Sequence, residues 1–105
     1  MAILVNWTEP ALEDLDGVYE FIARDSLFYA DSFVQQIIDS ITRLQQFPES
    51  GRVVPEAKRE DIREVIFQGY RSIYWLVNEK QIDVLAVVHS SRDLTNPKNQ
   101  PWEVH

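Results

Sequence analysis

Ile62-Arg-Glu-Val-Ile-Phe-Gln-Gly-Tyr-Arg-Ser-Ile-Tyr-Trp-Leu-Val-Asn-Glu-Lys-Gln-Ile-Asp-Val-Leu-Ala-Val-Val88 contains three runs rich in β-branched and aromatic residues. Gln68-Gly69 and Asn78-Glu79-Lys80 separate them, and such short polar breaks between β-type runs read as hairpin turns. The expectation is three consecutive antiparallel strands: Ile62 to Phe67, Tyr70 to Val77 and Ile82 to Val88. The last run is nearly continuous in apolar residues, which marks a central strand covered on both faces.

The rest of the fold is read outward from this sheet. Ile3-Leu-Val-Asn-Trp7 is a candidate first strand. Thr8 follows as an N-cap, with Pro10 in the first turn and Glu9, Glu13 and Asp14 near the positive end of a helix dipole. Leu12, Leu15, Val18, Tyr19 and Ile22 recur at helical spacing, so a first helix is expected from about Pro10 to about Arg24. Ser26 caps a second helix whose stripe is Leu27, Ala30, Phe33, Val34, Ile37, Ile38, Ile41 and Leu44. Phe47-Pro48-Glu49-Ser50-Gly51 ends it. The order is β-α-α-β-β-β: an α+β fold with a helical hairpin packed on a small, mainly antiparallel sheet. Residues 1–105 form a single domain, with an irregular tail over 94–105.

The chain has 105 residues and a net charge of −7. A chain of this size buries roughly 65% of its unfolded surface and needs no staples. It has no cysteine, which excludes disulfides and thiolate metal sites. The first seven residues lack a basic leader, and no run approaches the roughly 18 apolar residues of a membrane span. The expectation is a cytoplasmic protein without membrane or cofactor.

Charge is unevenly distributed. Residues 1–50 carry nine acids and two bases (Arg24 and Arg43), whereas residues 51–105 carry eight of each. A sequence pI near 4.7 weighs against direct, stable nucleic-acid binding, which depends on neutralising phosphates. The arginines of the second half are nevertheless ordered: Arg52, Arg63, Arg71 and Arg92, interleaved with Glu56 and His89. If Arg63 and Arg71 share one open face of the sheet, with His89 and Arg92 arriving from the next strand, they can grip phosphate bidentately. Glu56 or His89 could then move the 2′-hydroxyl proton in a metal-independent RNA cleavage. The competing reading pairs Arg63 with Glu60 or Glu64, Arg71 with an acid of the helices and Arg92 with Asp93. His89, Asp93 and His105 do not have metal-site spacing, and adjacent His89 and Ser90 point to opposite sides of a strand, so no catalytic triad forms. Among the aromatics, Trp102 or Trp75 is the candidate for exposure to a partner.

Trp7-Thr8, Ala11, Asp14-Leu15, Tyr19, Phe21-Ile22-Ala23, Phe33, Ile37, Leu44, Phe47-Pro48, Gly51-Arg52, Pro55-Glu56, Arg63-Glu64, Tyr70-Arg71-Ser72-Ile73-Tyr74 and His89-Ser90-Ser91-Arg92-Asp93 together resemble the RelE/ParE toxin superfamily of type II toxin–antitoxin, or plasmid stabilisation, systems. The likeness spans about residues 3–95 and implies the same architecture. RelE-like members of the superfamily are ribosome-dependent mRNA endonucleases, whereas ParE-like members poison DNA gyrase. The spacing of Phe47-Pro48, Gly51-Arg52 and Pro55-Glu56, with the ending His89-x-x-Arg92-Asp93, resembles the ParE branch, and Lys58, Lys80 and Lys98 are scattered. The resemblance therefore implies a gyrase inhibitor held inactive by a ParD-like, ribbon–helix–helix or similar antitoxin. The antitoxin's C-terminal segment would cover the sheet edge and helical hairpin, with Arg52, Arg63, Arg71, Arg92 and Trp102 as contacts. The alternative is a ribosome-dependent mRNA endonuclease with Glu56, Arg63, Arg71 and His89 as its catalytic candidates.

Overall fold

The computed structural model describes residues 3–103. Five strands and two helices follow one another as β1 (Leu4–Trp7), α1 (Glu9–Ala23), α2 (Leu27–Thr42), β2 (Arg52–Val53), β3 (Ile62–Phe67), β4 (Tyr70–Asn78) and β5 (Gln81–His89). The expected α+β architecture is present. The two-residue β2 is an addition, too short to leave a periodic signal.

Local chemistry explains the helix boundaries. The Thr8 hydroxyl accepts the Ala11 N–H and donates to the Val84 carbonyl, so one side chain caps α1 and ties it to β5. The Ser26 hydroxyl accepts the Tyr29 N–H at 3.1 Å, starting α2 after a three-residue connection. Ala11, Leu15 and Val18 bury the inner stripe of α1, and Ala30, Phe33, Ile37 and Ile41 that of α2. Leu12 and Leu27, expected in these stripes, lie exposed.

The sheet order is β1-β5-β4-β3-β2, with β1 parallel to β5 and every other pair antiparallel. Gln68 and Gly69 both have positive φ (41° and 87°), the geometry of a two-residue hairpin turn whose twist matches the strands. β5 is buried on both sides, as its apolar run implies. Val84 and Val87 pack toward the helices, whereas Leu85, Ala86 and Val88 join Val54, Ile62, Ile73, Leu94 and Trp102 on the other face. A register shift makes this possible: Tyr74 pairs with Val84 and Ile73 with Ala86, leaving Leu85 as an extra residue.

The tail is irregular but seated. Asn96 caps a short 3-10 turn, Gln100 donates to the Leu94 carbonyl at 2.8 Å, and Trp102 is 4% exposed. Burying an aromatic side chain of this size contributes about 2–3 kcal/mol. No helix among the described residues is long and apolar enough to cross a membrane.

Candidate functional site

The four arginines do not converge. In the β3–β4 register Arg63 lies opposite Tyr74 and Ile66 opposite Arg71. Directly opposed residues share a face and successive residues alternate, so Arg63 projects to the helix side and Arg71 to the other. The open face expected to hold both is therefore absent.

Each arginine has a distinct environment. Arg63 donates to the carbonyls of Glu49, Gly51 and Glu60 at 3.0–3.2 Å, stapling two loops to β3. Arg71 is 7% exposed at its side chain. Its Nη1 and Nη2 take both Glu56 oxygens at 2.9 and 2.7 Å, and its Nε bonds Glu64. The partners are Glu56 from the loop and Glu64 from β3, not an acid of the helices. Glu64, whose side chain is fully buried, also accepts from Nε of the exposed Arg52. The result is a chain Arg52–Glu64–Arg71–Glu56 on the sheet face away from the helices. Hydrogen bonding from Arg71 holds the Glu56 carboxyl below the ordinary carboxylate range, and Glu56 in turn raises the Arg71 guanidinium.

Gly51 is needed beside this chain. A Cβ there would lie 2.4 Å from the Tyr74 hydroxyl and 2.8 Å from the Glu64 carbonyl. The same hydroxyl accepts the Gly51 N–H and donates to the Pro48 carbonyl, and burial raises its pKa. The Phe47-to-Arg52 stretch thus leaves α2 along a fixed path.

His89 is exposed at the end of β5, edge-on to Tyr70 at 5.3 Å. Its Nδ1 accepts the Ser91 N–H at 3.1 Å and lies 2.7 Å from the Ser91 hydroxyl. Arg92 is exposed and in no ion pair among the described residues. Asp93, its expected partner, instead accepts from Thr95. Arg92 faces Asp14, whose carboxylate accepts the Val87 N–H and is raised in pKa chiefly by burial. Trp102 and Trp75 are not exposed: Trp102 sits in the core cluster, and half-buried Trp75 donates to Asp61 at 3.2 Å. Among the described residues no group of three or more His, Asp or Glu could hold a metal ion. His105 lies outside those residues.

The sheet edge offers a different kind of site. β2 pairs only with Arg63 and Glu64, so the outer edge of β3 from Val65 to Phe67 has no strand neighbour among the described residues. The Ile62 carbonyl accepts the Val54 N–H across this edge, and the two-residue period turns the Ile66 backbone groups outward as well. Alongside runs a groove of about 480 Å³ lined by Arg43, Phe47, Arg52, Val65 and Ile66 among others. Arg43, Phe47, Arg52 and Ile66 are exposed. Unpaired backbone, apolar side chains and two cations suit an extended chain of alternating apolar and acidic residues. Arg43 and Glu64 had not been singled out as site residues. Arg43 looks like an ordinary helix C-terminal cation, and Glu64 like a strand acid, until the fold brings them together.

The model of the family described as "ParE toxin of type II toxin-antitoxin system, parDE" matches residues 5–94. No curated protein matches the chain in sequence. A solved structure titled as the chromosomal ParDE TA system from P. aeruginosa is similar, with a TM-score of 0.69, 23% identity, and coverage of 84% of this chain and 96% of that one. A mutant of the E. coli toxin RelE in the free state has a TM-score of 0.63 at 15% identity, covering 98% of this chain and 93% of that one. These likenesses concern the fold.

Proposed function

The chain belongs to the ParE toxin family of type II toxin–antitoxin systems, and on that premise we propose that it acts in the cytoplasm by inhibiting DNA gyrase and is neutralised by a ParD-like antitoxin. The observation that carries the choice of gyrase over ribosome-bound mRNA is the engagement of Arg71 by two carboxylates. Its Nε, Nη1 and Nη2 all donate to carboxylates, so the arginine that a nuclease would use on phosphate already holds Glu56 and Glu64. Arg63 is likewise committed to carbonyls, on the opposite face from Arg71. The acidity of the helical hairpin also opposes close approach to ribosomal RNA.

The discriminating experiment sets a supercoiling assay beside ribosome-programmed mRNA cleavage, both with purified protein. Inhibited supercoiling with intact mRNA is the expected result. Cleavage that disappears in His89→Ala, an exposed position that leaves the core untouched, would overturn it.

For the antitoxin, the open β3 edge and its cationic groove support docking of a segment that is extended in the complex and ordered on binding. Arg52 and Arg43 then take the contacts that Arg63 and Arg71 cannot offer, and Arg92 remains available at the far end of β5. Ile66→Asp and Arg52→Glu together are expected to abolish co-purification with the co-expressed antitoxin while leaving the fold intact. Undiminished co-purification would remove the edge from the docking surface.

A further inference from the structure

The end of α1 and the start of α2 expose four large apolar side chains within nine residues: Phe21 (61%), Leu27 (65%), Phe28 (85%) and Tyr29 (50%). Packing of the hairpin on the sheet does not require this, since the buried stripes lie on its other side. Beside them opens a pocket of about 520 Å³ between the hairpin turn and the β3–β4 turn. Its walls are Phe21, Tyr29, Phe33 and Tyr70, with Gln68 and His89 at the rim. Several large exposed apolar side chains at one end of the hairpin, two of them (Phe21 and Tyr29) lining a ring-walled pocket, mark an interaction site.

Three observations define what would fill it. The pocket wall continues a cluster of edge-packed rings: Phe33 with Phe67 at 5.3 Å, Phe33 with Tyr70 at 5.7 Å and Tyr70 with His89 at 5.3 Å. An added ring would extend this geometry. The exposed His89 ring lines the pocket, and an imidazole nitrogen can donate to or accept from a phenolic hydroxyl. The surroundings are acidic, with Glu20, Asp25 and Asp31 exposed. Arg24 is the one base before Arg43, and it is already drawn to 5.9 Å from the Phe21 ring centroid. The tip therefore favours cations beside its rings.

We infer that the helical-hairpin tip is a second protein-docking surface, taking a basic amphipathic helix that inserts a tyrosine into the pocket. It is separate from the arginine-lined groove and makes the opposite electrostatic demand. Tyr29 at one end of α2 and Arg43 beyond the other lie about 21 Å apart at 1.5 Å per residue, so the two surfaces can be occupied independently.

The test uses the full chain and a fluorescein-labelled synthetic 16-residue amphipathic helix with one central tyrosine, an alanine–leucine stripe and lysine–arginine flanks. Anisotropy titration is expected to show saturable binding. Phe28→Asp in the protein, Tyr→Ala in the peptide, and glutamate in place of the peptide's basic flanks are each expected to weaken it at least ~10-fold, as loss of an anchor does. Arg52→Glu, in the other groove, is expected to leave it unchanged. Phe28 is exposed, so Phe28→Asp is expected to keep the native unfolding midpoint, which circular dichroism checks. Absence of binding, or equal binding by the acidic peptide, overturns the proposal. Sedimentation showing a dimer of the chain alone that Phe28→Asp dissolves also overturns it, by assigning the face to a second copy.

Discussion

Removing the Glu64 carboxylate is the sharpest test of the ion-pair chain. In Glu64→Gln the residue keeps its size, but a buried charge that serves two guanidinium groups is lost. Arg71 would retain its two bonds to Glu56, so it is not stranded, and the full cost of about 3–5 kcal/mol for orphaning a buried partner does not apply. What disappears is one charge-assisted hydrogen bond between buried groups, about 1.5–3 kcal/mol. The bond to Arg52 adds less than about 1 kcal/mol because that arginine is 57% exposed and screened. The sum is about 2–4 kcal/mol, which for a domain of this size lowers Tm by roughly 10 °C or more. Urea unfolding of the purified protein, followed by tryptophan fluorescence, reads the free energy. Arg52→Ala serves as the control, with an expected loss under about 1 kcal/mol. A Glu64→Gln loss below that of Arg52→Ala would refute the reasoning, because it would mean that Arg71 gains nothing from Glu64. In a double-mutant cycle, Arg71→Met should cost measurably less in the Glu64→Gln background than alone.

Gly51→Ala forces a methyl against the Tyr74 hydroxyl and the Glu64 carbonyl and is expected to cost about 1–3 kcal/mol by overpacking, read as a lower urea midpoint. Tyr74→Phe removes the donor to Pro48 and the acceptor for Gly51, with an expected loss of about 1–3 kcal/mol by the same assay. Trp102→Ala opens the core face away from the helices and is expected to cost about 3–5 kcal/mol, seen in thermal melts. The Glu56 pKa is depressed in the folded state, so its contribution is fully present above the unfolded value of about 4.3. It is lost as pH falls through the lower folded value. In Glu56→Gln the fall in stability below about pH 4.3 should be shallower than in the parent chain, which urea titrations across pH would show.

Much of this protein was determined by its sequence alone. Thr8 and Ser26 act as N-caps, and Gln68-Gly69 as a two-residue turn, because those roles depend on side chains within three or four residues. The nearly continuous apolar run Ile82 to Val88 announced a strand buried on both faces, since alternation fades when neither face meets water. The family likeness rested on residue order, which needs no geometry, and the match over residues 5–94 bears it out. Even the opposite facing of Arg63 and Arg71 was latent in the turn: counting back from Phe67 opposite Tyr70 puts Arg63 three residues, an odd offset, from Ile66, the partner of Arg71.

Other features depend on distance rather than order, and only the tertiary structure could decide them. β2 is a two-residue strand with no period to detect. Glu56 and Glu64 meet Arg71 because a loop folds back over the sheet, and nothing in their sequence spacing ranks them above the acids of the helices as partners. Trp102 carries the same side chain whether it faces solvent or core, and what buried it was the return of the tail over β5. The arginine series is part of the family likeness, but the fold sets its members apart: Arg63 and Arg71 are held by carbonyls and carboxylates, whereas Arg92 is exposed and in no ion pair among the described residues. A guanidinium enclosed by carboxylates and one open to solvent are the same letter in the sequence, and only their surroundings make them different chemistry.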